Sequence, residues 1–133
     1  MSGAKVEELG LTPMAKVTGY SLAAVEPELM GYGPIYAVRS ALHKVWAKLD
    51  KGVDLVELNE TFAAQTILSL RELSLDPEIV NVNGGAIALG HPMGSSGARI
   101  LTTLLYEMQK RDANVGLAAG MGIACIVERE WYY

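Results

Sequence analysis

Two apolar periodicities alternate along this chain, and that alternation constrains the fold more than any other feature. Short runs at 14–25, 53–58, 79–82, 115–121 and 123–128 have the length of strands, the second of them strongly β-branched. Between them lie stripes at helical spacing: Ile35, Val38, Leu42 and Val45; then Phe62, Ala63, Ile67, Leu70 and Leu73; then Ile100, Leu101, Leu104, Leu105 and Met108. The order predicts βαβαβαββ. Strands separated by helices pair in parallel through right-handed crossovers, whereas the last two runs, joined at Gly122, leave room only for a tight antiparallel return. The expected architecture is α/β, a mixed, mostly parallel five-stranded sheet covered by helices, in one domain over 1–133.

Local signals refine this expectation. A helical fragment at 5–9 is stopped by Gly10, and 26–34, with Pro27, Gly31, Gly33 and Pro34, reads as a loop. Asn59 stands where it can head the second helix, Pro77 closes that unit, and Ser95 or Ser96 can cap the third helix through a hydroxyl. Lys110 and Arg111 suit the carbonyl end of that helix.

Composition removes several functions. Half of the 133 residues are hydrophobic and a fifth are charged, which excludes a disordered chain or a coiled coil. The net charge is −4 and the basic residues are scattered, so nucleic acid is not an expected partner. One cysteine, Cys125, cannot make an internal disulfide, and with His43 and His91 it cannot build a structural zinc site. The start lacks the apolar core of a signal peptide and no run is long enough to cross a bilayer, so the expected setting is intracellular, cytoplasmic or organellar, with no membrane partner.

Chemistry concentrates in N-G-G-A-I-A-L-G-H-P-M-G-S-S-G at 83–97. It holds His91 between Gly90 and Pro92 at the C-terminal edge of a predicted strand, where open α/β sheets bind ligands. A histidine fixed there can donate to a carbonyl or thioester oxygen as charge grows on it, or it can simply cap a loop. Asn59 can cap a helix or hold a water against a reacting oxygen. Glu57 and Glu60 fit a strand residue and a first-turn acid better than an acid/base pair. His43 reads as a surface histidine and Cys125 as a small hydrophobe with a raised pKa. The glycines lack the Lys-Ser/Thr of a phosphate loop and the spacing of a dinucleotide site.

Three stretches nevertheless carry a family signature: V-E-L-N-E-T-F-A-A-Q at 56–65, V-N-V-N-G-G-A-I-A-L-G-H-P-M-G-S-S-G-A-R-I-L at 80–101, and G-M-G-I-A-C-I-V-E at 120–128. On these the chain resembles the C-terminal domain of thiolases, which make or break the carbon–carbon bond of 3-ketoacyl-CoA thioesters. The resemblance implies that Asn59 holds an oxyanion-hole water and that His91 shares that hole and helps activate a nucleophilic cysteine. It implies that Phe62 lines the acyl pocket, with Thr61 and Gly90 beside the substrate. It implies no metal or separate cofactor, the coenzyme A thioester being the substrate, and a homo- or hetero-oligomer as the assembly.

Two departures qualify that implication. The family's nucleophilic cysteine and CoA-binding loop belong to an N-terminal part outside these 133 residues. The family's Cys-x-Gly, whose cysteine is a general acid/base, is missing from G-L-A-A-G-M-G-I-A, and Cys125 falls beyond the turn. The expected partners are therefore acyl-CoA and an N-terminal thiolase half or subunit carrying the nucleophile. The alternatives are a non-catalytic thiolase-like scaffold or a truncated chain. The helix at 96–111 is the expected docking face, with Leu104→Glu expected to abolish assembly.

Overall fold

A computed structural model describes residues 1–45 and 52–129. The elements are α1 (Gly3–Leu9), β1 (Lys16–Leu22), a 3-10 helix (Pro27–Tyr32), α2 (Gly33–Val45), β2 (Leu55–Leu58), α3 (Ala63–Glu72), a 3-10 turn (Pro77–Ile79), α4 (Ala86–Leu89), α5 (Ser96–Arg111), β3 (Val115–Gly120) and β4 (Ile123–Glu128). The sheet order is β1-β4-β3-β2, with β2 parallel to β3 and both other pairs antiparallel.

The α/β class and the mixed sheet are as the sequence predicts, but the described sheet has four strands and is not mostly parallel. The expected strand at 79–82 shrinks to one parallel bridge, Val56 to Val80. Asn81 is the reason. Its φ of 48° turns the chain out of the extended region, and its side-chain amide replaces strand pairing: Oδ1 accepts from Leu58 N at 2.8 Å and Nδ2 donates to Leu58 O at 2.9 Å. The expected loop at 26–34 contains the 3-10 helix and the start of α2.

Strand alternation sends Val56 and Leu58 to one face of the sheet and Leu55 and Glu57 to the other. The first face, with Leu117, Ala119 and Ile126, packs under Val38, Ala41 and Val45 of α2. The second, with Ala118 and Val127, packs under Ile100, Leu104 and Met108 of α5. Leu104 is 1% exposed, so the apolar stripe of α5 belongs to this chain's own core. This corrects the expectation that Leu104→Glu acts on assembly, because a carboxylate there destroys the packing beneath α5 first.

Two helix starts also differ from expectation. α3 begins at Ala63, where the Phe62 carbonyl accepts from both Thr66 N and Thr66 Oγ1, so Asn59 caps nothing and stays extended beside β3. Ser95 occupies the cap position of α5, yet neither serine hydroxyl accepts from the helix; both turn back toward the Pro92 carbonyl. In α3 the buried residues are Gln65, Thr66 and Ser69, while Phe62 and Ile67 of the predicted apolar stripe are exposed.

Candidate active-site cavity

Asn59 leaves the end of β2, and its backbone N–H continues the parallel ladder by donating to Ala119 O at 2.8 Å. Gly120 lies flat against it: a Cβ on Gly120 would meet Asn59 Cβ at 2.8 Å. The strand edge thus fixes the Asn59 backbone on two sides. Its Nδ2 donates to Thr61 Oγ1 at 3.1 Å, and its Oδ1 is buried with no hydrogen-bond partner among the described residues. A buried acceptor without a donor is costly, and water is the ordinary remedy.

His91 reaches the same place from the other side. Gly90 precedes it at φ 88° and ψ 165°, a conformation that only glycine enters cheaply. The first turn of α5 then pins the loop: Arg99 donates to Gly90 O at 2.7 Å, while Ser95 and Ser96 N–H donate to Pro92 O. The imidazole Nδ1 lies 2.7 Å from Ser96 Oγ. The ring itself is exposed.

Glu60 supports this arrangement without facing it. Its carboxylate accepts from Asn81 Nδ2 at 2.9 Å and Ile87 N at 3.0 Å, and it fills the space above Gly85 where any Cβ would stand. Glu57 is 4% exposed, and burial pushes its carboxyl up to about 7, against the opposing pull of Arg99. Glu107, buried on α5, is held low by hydrogen bonds from Asn83 and Arg111. Glu57 and Glu60 therefore have different environments, and neither lines the cavity that Asn59 and His91 share.

Asn59, Thr61 and His91 line one cavity of about 350 Å³, together with Met93, Ile100 and Cys125. A smaller cavity of about 40 Å³ adjoins it through Thr61 and Met121, and there Phe62, Met30 and Gln65 form the wall. So the structure brings Asn59, Thr61 and His91 together, sets Phe62 in the neighbouring recess, and leaves Gly90 outside both linings with a conformational task. Cys125 shares the large cavity, but burial pushes its thiol up, which disfavours the thiolate that would be a nucleophile. Sequence reading missed the Ser96 contact with His91; the serine five residues on, just inside a helix, was its only signal.

Polar side chains from separate segments thus meet in one cavity of an α/β domain, and comparisons with known proteins name the family. Residues 11–129 match the thiolase C-terminal domain family. An acetyl-CoA acetyltransferase of Paracoccus denitrificans is 57% identical over 90% of this chain, which covers 32% of that protein. The crystal structure of the Bacillus anthracis acetyl-CoA acetyltransferase superposes with a TM-score of 0.89 at 44% identity, covering 96% of this chain and 34% of that one. Human mitochondrial 3-ketoacyl-CoA thiolase, solved in complex with CoA, gives 0.90 at 41%, covering 97% of this chain and 34% of that one. The chain belongs to the thiolase family and corresponds to its C-terminal domain. It spans about a third of the length of these relatives.

Proposed function

We propose that this chain, one C-terminal domain over its 133 residues, supplies the oxyanion-stabilising wall of a thiolase site acting on CoA thioesters, the cysteine nucleophile coming from an N-terminal thiolase half. The single observation that carries this reading is that Asn59 and His91, from separate segments, line one cavity. In it, a water on the Asn59 amide and the His91 ring face the thioester oxygen as the cysteine adds to the carbonyl, and negative charge develops there. Phe62 and Thr61 bound the recess for the acyl group, and its volume of about 40 Å³ suits a short chain. The thioester acidifies its own α-carbon, so the reaction calls for no metal or further cofactor.

An uncovered apolar strip supports the reading of a partner. On the α5 side of the sheet, Tyr20 and Leu22 of β1 pair with Cys125 and Ile123 of β4. Tyr20, Leu22 and Ile123 remain 64%, 71% and 51% exposed, because α5 packs chiefly over β2 and β3. An apolar strip of this kind marks an interface, and the two thirds of a thiolase outside this chain are the proposed occupant, in a homo- or hetero-oligomer. The test is to mix the chain with a separately produced N-terminal two thirds of the Paracoccus denitrificans relative and measure association by native mass spectrometry. A one-to-one pair that cleaves acetoacetyl-CoA in the presence of CoA supports the proposal; two chains that never associate contradict it.

A second reading has one specific observation in its favour. β3 and β4 are joined by Met121 and Gly122 alone, so no cysteine stands where the family's Cys-x-Gly would be. A pair that associates and is acylated but does not cleave acetoacetyl-CoA would make this a thiolase-like domain without the second proton-transfer group. A pair that associates without acylation would make it a binding or scaffold domain.

A further inference from the structure

Four non-glycine residues of the described chain have a left-handed φ, and three of them have an ordinary local reason. Asn81 and Asp112 are of the types that enter this region most readily, and Ser74 ends α3, with Leu75 N–H reaching back to Leu70 O at 3.0 Å. Met121, at φ 44° between Gly120 and Gly122, has neither reason. Glycine enters that conformation freely, which points to the side chain, and not to the turn, as the reason for a methionine there.

The backbone of this turn is gripped on both sides. Met121 O fills the space where a Cβ on Gly33 would stand, Ala23 O does the same for Gly122, and Ala23 N–H donates to Gly122 O at 2.8 Å. The side chain itself is 61% exposed, unbranched and adaptable. It borders the cavity of Asn59 and His91, the recess of Phe62, and on its far side an open hollow of about 370 Å³ beside Ala23, Val25 and Pro27. The residues that recess and hollow share are Met30 and Met121, so two methionines make the partition between them.

We propose that Met121 is a specificity-determining residue that closes the acyl recess off from this hollow and so limits the acyl group to a short chain. This rests on the reading of the recess as the acyl pocket and deepens it. At about 40 Å³ the recess has room for about three water-sized groups, enough for the methyl of an acetyl group and little more. The hollow is far larger, and Val25, Pro27 and Met30 give it apolar walls that suit a longer alkyl tail. With Met121 cut back to Cβ the two spaces join, and each further methylene that finds apolar cover gains about fourfold.

The test uses the pair of this chain with the N-terminal two thirds of the Paracoccus denitrificans relative, following by mass spectrometry how fast acetyl-, butyryl- and hexanoyl-CoA acylate the N-terminal cysteine. The ratio of rates is the readout, so a uniform loss of activity cancels. The wild type should favour acetyl-CoA over hexanoyl-CoA, and in Met121→Ala the hexanoyl-to-acetyl ratio should rise about tenfold. Met121→Leu keeps the bulk and should hold the wild-type ratio. Met121→Gly should follow Met121→Ala, which separates bulk from backbone, because alanine keeps the strained φ and glycine relieves it.

A wild type that takes hexanoyl-CoA as readily as acetyl-CoA, an unchanged ratio in Met121→Ala, or an equal rise in Met121→Leu overturns the proposal and leaves the oxyanion wall standing. If Met121→Ala does not fold, Met121→Gly decides by the same ratio. If no thioester acylates the wild-type pair, the wider reading falls, and the chain alone, 13C-labelled at its methionine methyls, decides the partition. S-ethyl thioacetate should then shift the Met30 signal of the wild type, and S-ethyl hexanethioate should shift it only in Met121→Ala. A shift by the longer thioester in both proteins, or in neither, overturns the proposal.

Discussion

The loop carrying His91 and the β3–β4 hairpin border the same cavity, yet they are built in opposite ways. Between Gly84 and Ser96 every turn is pinned: Glu60 holds Ile87 N, Arg99 holds Gly90 O, and Ser96 holds the imidazole. Across the cavity, β3 reverses into β4 through two residues, with Met121 at φ 44°, a left-handed conformation that costs a non-glycine residue energy. One wall keeps a preorganised set of polar groups; the other is a short strained turn with no titratable side chain. The contrast teaches that one cavity can take a tightly pinned wall and a bare turn from separate segments, so that either can change without the other.

The sharpest way to break the comparison is to remove the support under the pinned loop. Leu104→Glu places a charge beneath α5 and should cost at least about 4 kcal/mol, unfolding the domain. A circular-dichroism melt close to the wild-type curve, with association alone lost, would return α5 to the role of a docking face. Next in size, His91→Ala in the reconstituted pair should lower the rate of cysteine acylation about 10²-fold while leaving association unchanged, the loss expected for one oxyanion donor. A smaller loss would mean that the loop is preorganised for something other than acyl transfer.

Glu57 gives a pH prediction. Its folded value, about 7, lies above the ordinary 4.5, so the native state binds more protons between those limits and stability falls as pH rises through that window. Glu57→Gln should flatten this slope and raise stability at pH 8 by on the order of 2 kcal/mol, read from urea titrations at several pH values. An unchanged slope would mean that the Glu57 carboxyl is already ionised under α5. The smallest effect belongs to the hairpin: Met121→Gly should gain up to about 1 kcal/mol by relieving the left-handed turn, partly offset by the flexibility of glycine. A destabilised variant would show that Met121 is held there by packing against the two cavities it lines.

Much of the fold was legible because periodicity reports burial. The stripes of α2 and α5 pack where 3.6-residue spacing places them, and the antiparallel return at Gly122 is where the last two runs meet. What stayed hidden depends on single side chains acting at a distance in sequence. Asn81 ends a strand by substituting its amide for backbone partners, which no apolar pattern encodes. α3 turns Gln65, Thr66 and Ser69 inward and leaves Phe62 and Ile67 exposed, while Leu73 just past its end packs against the core, so its stripe marked the core only in part. At the site, the motifs singled out Asn59 and His91, which line one cavity. The Ser96 hydrogen bond and the burial of Glu57 depend on the loop and on α5 packing over β2, and appear only in three dimensions.

The central claim is that this chain supplies the oxyanion wall to a cysteine it does not contain. The most direct measurement is mass spectrometry of the N-terminal two thirds of the Paracoccus denitrificans relative after exposure to acetyl-CoA, with and without this chain. The account predicts an acetyl adduct on the N-terminal cysteine that forms rapidly only when the chain is present and is lost with His91→Ala. An adduct that forms equally fast without the chain, or one found on Cys125 instead, would contradict it.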